Sequence, residues 1–291
     1  CLLRFFVAWL IGQAVFDHLI FYGGGLLLVA VFVFLLYAVT ACIRYPECRY
    51  RKVSEKKTYK ELLSFSGWTM YGNLSGVAMI QGSTILLNVF FGPVANAAFA
   101  VANQIYNALG TLGNTVVVAF RPAMIKSYSE KNYDNLDHLF YIHNKVLSYL
   151  MIGVSLPLIF LMPTILHWWL DEVPQESVVF SRLFVVYIFI LVMSNPISTI
   201  IQATGRVKYY SLAVETITIL CLPVAWLLFR LGYPSFTLFV VMIVICALAH
   251  FVRLVCLHRY YPSFSCRKYI SSLAMPSLLC LLAAVIYFTR H

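Results

Sequence analysis

Six side-chain amides, one arginine and one glutamate are the residues of this chain that could act on a polar solute within apolar surroundings. Asn96, Asn103, Asn107 and Asn114 are set seven, four and seven residues apart. On a helix turning about 100° per residue they fall within about 40° of one another. Ala98, Val101, Ile105, Leu109, Leu112 and Val116 take the opposite face. Gln81 and Asn88 lie on the preceding apolar stretch, and Arg121 follows Asn114 by seven residues. A side-chain amide offers both donors and acceptors, and in hydrocarbon without a partner it costs several kcal/mol. The stripe must therefore face another helix or a water-filled cavity. Against a helix it is glue, worth only about 1 kcal/mol per bond. In a cavity it is a hydrogen-bonding path, with Gln81 and Asn88 expected to face it from the preceding stretch, the first arm of a helical hairpin over 62–124.

Glu215, in YYSLAVETITILCLPVAW, is the acid that lies within an apolar segment. It reads either as a coupling-ion or proton site, or as a carboxylate that reaches the membrane interface or is hydrogen-bonded at a helix contact. Lys208 is seven residues earlier, about 10 Å along the axis. No catalytic set accompanies these residues. His138 and His143 fall in a basic loop or at a helix start, His167 at the far interface, and His250 alone in an apolar helix. No Ser/His/Asp, Cys/His or paired-carboxylate arrangement occupies the segments. The GGG at 23–25 lies inside an apolar run and is no phosphate loop. The eight Cys show no metal-ligand spacing and imply no pairing. No catalytic residue, metal or cofactor is expected, and the chain does not read as an enzyme.

The elements that must position these residues are membrane helices. Hydrophobic residues make up 62% of the 291 and charged residues 11%, against about half and a quarter in soluble domains. Nine apolar segments are expected, at about 5–16, 19–43, 62–91, 94–120, 140–162, 178–204, 209–229, 236–257 and 269–289. The fold class is an all-α polytopic membrane protein; a β-barrel would show alternating segments of about ten residues. The formal net charge of +10 sits in short loops, so it marks membrane topology and not a nucleic-acid partner. Counting Lys and Arg by loop places 18 of the 21 on one side, leaving Arg182, Arg230 and Arg290 on the other. Arg253 is counted among the 18. The rich side is the cytoplasmic one.

Four divisions follow: two helices in 1–43, a basic linker 44–61 beginning RYPECRYRKVSEKK, a six-helix set 62–257, and a basic loop with one more segment in 258–291. The linker reads as a cytoplasmic loop that can also touch anionic lipid. The loop at 163–177 carries Trp168 and Trp169 as interfacial anchors. Pro157, Pro196 and Pro223 fall inside segments, where they kink helices. The chain opens at Cys1 within an apolar run, so it is expected to be a piece of a longer protein.

The runs FSGWTMYGNLSG, QGSTILLNVFFGPVANAAFAVANQI and FRPAMIKSYSEKNYD, with the later IIQATGRVKYYSLAVETITILCLPVAWLLFRLGYPS, resemble the polysaccharide-biosynthesis, O-antigen flippase-like branch of the multidrug/oligosaccharidyl-lipid/polysaccharide exporter superfamily. The resemblance implies a MATE-like bundle of two six-helix lobes, with 1–43 as the fifth and sixth helices, 62–257 as the second lobe and 269–289 as a thirteenth helix. It implies a multi-pass protein of a bacterial inner membrane, serving lipopolysaccharide assembly alongside other polysaccharide-assembly proteins. Its substrate would be a polyprenyl-pyrophosphate-linked oligosaccharide flipped by alternating access. Arg121 would then hold pyrophosphate oxygens, for which a guanidinium is suited, or act only as a positive-inside anchor. Two rivals remain. A cation-coupled multidrug exporter of the same superfamily would prefer intramembrane acids and an aromatic pocket. A membrane-embedded glycan polymerase or ligase would place Arg, His or acids in a large external loop, and the longest one here is about 15 residues. A non-transporting scaffold would look the same in sequence.

The charge division predicts that Lys52→Cys resists an impermeant thiol reagent applied outside intact cells, while Asp171→Cys reacts, each on a background with native cysteines replaced. Strong labelling at 52 overturns the topology.

Overall fold

The computed structural model describes residues 18–45, 56–205 and 207–261, with 264, 265, 269, 270 and 272. All regular structure among them is α-helical: α1 His18–Arg44, α2 Lys56–Ser129, α3 Tyr133–Trp169, α4 Ser177–Met193, α5 Asn195–Ala203, α6 Val207–Ile219, α7 Cys221–Arg230 and α8 Thr237–Tyr260. Among the described residues six stretches are long and apolar enough to cross a membrane: Gly23–Arg44, Leu62–Ser129, Tyr133–Trp169, Ser177–Ala203, Val207–Arg230 and Thr237–Tyr260. The expected nine are not supported. The segment at 5–16 and nearly all of 269–289 lie outside the described residues, as does most of the 44–61 linker. The segments at 62–91 and 94–120 belong to one helical element, α2.

The chain divides into two compact units, Cys1–Tyr59 and Lys60–His291. The first contains α1, apolar along its whole length. In the second, α2 is too long for one crossing, which takes roughly 20 residues. It breaks at Gly92, whose φ of 80° and ψ of −172° are open to glycine and strained for L-residues. Pro93 follows, with no N–H to continue the helix. The contacts show that the two arms fold back. The first arm rises along α6 and α7, with Ser75 on Glu215, Gly82 facing Leu222 and Phe91 on Phe229, ring centroids 4.9 Å apart. The second arm runs along α4 and α5, with Tyr106 stacked on Phe184 at 4.9 Å, Gly113 facing Val192 and Arg121 on Gln202. Tyr187 touches both arms: its hydroxyl points at the Met79 sulfur, 3.5 Å away, and its ring centroid lies 5.9 Å from that of Tyr106. Met79 and Tyr106 stand almost equally far in sequence on either side of Gly92.

Close approach of the helices depends on small residues, the usual device where no hydrophobic force draws membrane helices together. A Cβ on Gly113 would come within 2.6 Å of Val192 Cγ1, and β-branched valine has little freedom to turn away. Near the bend, Phe99, Phe180, Phe184 and Phe239 form an aromatic core with centroids 4.6 to 5.9 Å apart. Toward the other end Phe140, Ile197, Ile200, Val214 and Leu257 form a second core, joined by Tyr261, Phe264 and Tyr269.

The helices are longer than the apolar segments. α2 continues to Ser129 and α3 starts at Tyr133, so the stretch expected as a loop at 121–139 is two helix ends and a tight turn. Lys131 takes φ 57° there. Asn132 caps α3 by accepting from the Asn135 amide at 3.1 Å, filling one orphan donor of the first turn. α3 likewise runs on to Trp169 and shortens the expected loop at 163–177. Pro196 and Pro223 each fall in the first turn of a helix restarted after a break, at Ser194 and Leu220, where the missing N–H has no bond to lose. Pro163 is different, because it lies inside α3 and frees the carbonyl of Ile159. Arg182 Nε donates to that carbonyl at 2.8 Å, so a residue expected on the side poor in Lys and Arg is a clamp across two helices.

That clamp predicts non-additivity. Arg182→Leu should destabilise the protein by about 1–3 kcal/mol, the cost of an unsatisfied buried acceptor. In a Pro163→Ala background the restored N–H serves Ile159, and the loss should shrink. Equal losses in both backgrounds, read from chemical unfolding, would show that Arg182 acts otherwise.

Candidate functional site

The amide stripe lies on the outward side of its own unit. On the second arm, Ala98 and Ala102 are fully buried and Leu109 and Val117 nearly so. Asn107 and Asn114 are exposed, and Asn96 and Asn103 are half-buried. Gln81 and Asn88, on the first arm, are exposed as well. The apolar face thus makes most of the helix contacts, and Asn107 and Asn114 stay clear of them. The amide oxygen of Asn103 is buried without a partner, a state that costs about 1–3 kcal/mol until a donor reaches it. Arg121 is exposed at the far end of the second arm and donates through Nη2 to Gln202 Oε1.

A second polar region lies inside the unit. A cavity of about 220 Å³ is lined by residues of both arms, α4, α6 and α8, among them Gly72, Tyr106, Tyr187, Glu215, Thr218 and Arg253. Glu215 meets Ser75 through Oε2, and a Cβ on Gly72 would stand 3.4 Å from its Oε1. One turn apart, Tyr71 and Thr216 hydrogen-bond at 3.0 Å. Lys208 is not its partner: the ammonium lies over the rings of Trp68 and Tyr209, 5.7 and 5.6 Å from their centroids.

Arg253 corrects the charge count. It is not in a loop but inside α8, 7% exposed. Its Nε donates to Tyr210 Oη and its Nη1 to Ser194 Oγ, both at 3.3 Å. Ser194 Oγ also lies 2.7 Å from His250 Nδ1, and His250 Nε2 lies 3.1 Å from Tyr269 Oη. Ser198 completes the chain on Tyr210 at 2.7 Å. His250, expected alone, therefore sits in a polar network at the break between α4 and α5. The signal for Arg253 was present: it shares a helical face with Cys246, Ala249 and Leu257, all buried, at offsets of seven, four and four residues. The basic residues that follow drew it into the loop instead. His143 too is inside a helix, fully buried and stacked on Phe120 at 4.9 Å.

Beyond α8, Tyr261 Oη donates to Asp137 Oδ1 at 2.8 Å, tying the segment after α8 to the start of α3. Burial, then that carboxylate, pushes the Tyr261 hydroxyl well above its ordinary range, so it stays a donor. Among the described residues no three His, Cys, Asp or Glu converge as metal ligands.

The pattern of the MatE family matches residues 72–227, more than half the chain. The match spans Gly72, every amide of the stripe, Arg121 and Glu215, and ends before Arg253. No curated protein and no solved structure matches the chain.

The placement of the second arm predicts a contrast in reactivity. On a background without native cysteines, Asn107→Cys should react with a small water-soluble thiol reagent and Ile105→Cys should not, since Ile105 is buried. Equal inertness of both would place the amide face against a helix or lipid.

Proposed function

Because the chain belongs to the MatE family of membrane transporters, within the multidrug/oligosaccharidyl-lipid/polysaccharide exporter superfamily, we propose that it serves to flip a polyprenyl-pyrophosphate-linked oligosaccharide across a bacterial inner membrane. One observation carries this reading: Asn107 and Asn114 of the second arm are exposed, while Ala98, Val101, Ile105 and Leu109 of its apolar face are buried in the unit. A glycan leaving water must exchange many hydrogen bonds, and neutral amides supply donors and acceptors without holding it by charge. Asn103, Asn107 and Asn114 line the path, Asn96 sits near its bend end, and Gln81 and Asn88 face it from the first arm. Arg121 stands at the opposite end and takes the pyrophosphate oxygens, releasing Gln202 as it does so. The hairpin moves as a body with α4 to α7, so the path opens to one side and then the other without any covalent step. The linker at 44–61 stays in the cytoplasm, where other polysaccharide-assembly proteins deliver the substrate.

A second reading rests on the internal cavity. Glu215 beside Tyr106 and Tyr187 is what a cation-coupled multidrug exporter of the same superfamily would use to bind an aromatic cation. The two readings part on the amides, which a drug exporter does not need for its cargo.

The test is made in the full-length protein, in a strain lacking its own exporter of surface glycan. Asn107→Leu should insert at normal abundance and export little glycan. Arg121→Gln should lose most export, and Arg121→Lys, which keeps the charge without the planar fork, should retain part. Wild-type glycan export by Asn107→Leu at normal abundance sinks the glycan path. Drug resistance that falls with Glu215→Gln and not with Asn107→Leu selects the second reading.

A further inference from the structure

Arg253 is a fully formed charge in the interior of a membrane bundle, and its two protein partners are neutral hydroxyls, Tyr210 and Ser194. Among the described residues the ion pair within 4 Å is Lys126–Glu130, at the surface, and Arg253 has none. Residues 262–291, which follow α8, contain no Asp or Glu. A guanidinium has five N–H donors; two are used, and the residue lines the cavity. A buried charge with no counter-charge in direct contact costs several kcal/mol.

Glu215 lines the same cavity but is turned toward the first arm. The Ser75 hydroxyl lies 2.8 Å from the Gly72 carbonyl and also meets Glu215 Oε2. Glu215 is directed to Ser75 and makes no ion pair within 4 Å with Arg253.

We propose that this cavity binds a small monovalent anion, a halide or a short carboxylate, against the guanidinium of Arg253. The volume of about 220 Å³ takes such an anion with a few waters and is too small for a lipid-linked glycan. The site is therefore separate from the amide path.

The test is unfolding temperature of the detergent-purified full-length protein at fixed ionic strength, with gluconate replaced stepwise by chloride or by acetate. A saturating rise is expected with chloride, acetate or both; chloride alone assigns a halide, acetate alone a carboxylate. Arg253→Gln should lose the rise. Arg253→Lys should keep it with weaker half-saturation, and Glu215→Gln should keep it at wild-type strength or better. Should Arg253→Gln fail to fold, the shift in Arg253→Lys and equilibrium binding of radioactive chloride or acetate to the wild type decide the question. A wild type indifferent to both anions overturns the proposal. A response that appears only in Glu215→Gln makes the Glu215 carboxylate the counter-ion and overturns it too. An undiminished response in Arg253→Gln shows a general salt effect and likewise overturns it.

Discussion

Inside hydrocarbon a polar group has no water to turn to, and the contacts between helices of the Lys60–His291 unit are arranged around that fact. Pro163 frees a carbonyl, and Arg182 crosses from α4 to take it. Glu215 enters α6 and meets Ser75 of the first arm. Arg253 enters α8 and meets Ser194 at the break between α4 and α5, where His250 and Tyr210 already converge. Each of these bonds joins one helix to another, Arg182 its neighbour in the chain and Glu215 and Arg253 elements far apart in sequence. They add direction to packing that is otherwise uniform, because apolar helices gain little from one another that lipid tails would not give.

Gly92 decides where all of this happens. Its positive φ, with Pro93 beside it, turns a helix of more than twice the spanning length into two antiparallel arms. The first arm then meets α6 and α7, and the second meets α4 and α5. The cavity exists because both arms border it, Gly72 and Met79 from one and Tyr106 from the other. A side chain at Gly92 would be strained by its backbone alone, since no atom crowds the position. The bend is thus a property of local conformation, and the bundle contacts exploit it.

The hairpin and its apolar face were legible because both rest on local rules. A glycine and a proline between two apolar runs mark a break, and the 100° periodicity that put the four Asn together also put Ala98, Ile105 and Leu109 on the buried side. Arg253 was misread because two rules pointed opposite ways. The positive-inside count groups it with Arg259, Arg267 and Lys268, while helical periodicity groups it with Cys246 and Ala249; the buried face prevailed. Helix ends were misjudged for a related reason. Hydropathy marks where a segment is apolar, but backbone hydrogen bonding continues past that limit, so α2 runs on to Ser129 and α3 to Trp169. The partners of Glu215 and His250 were not legible, because Ser75 and Tyr269 are tied to them by the fold and by no spacing in the chain.

The two polar regions differ in the kind of partner each can release. Amides seven residues apart on a helix are separated by about 10 Å of rise, and each offers bonds that water replaces at small net cost. A solute moving along Asn103, Asn107 and Asn114 would pass between weak sites, the condition for entering and still leaving. A guanidinium buried as Arg253 is holds its partner far more strongly, because the surrounding dielectric is low. Charge of that kind suits a resident ion and would trap a cargo. Under the proposed function, the amides on the outside of the unit and the charges within it are therefore a division of labour set by electrostatics, with passage left to the neutral groups.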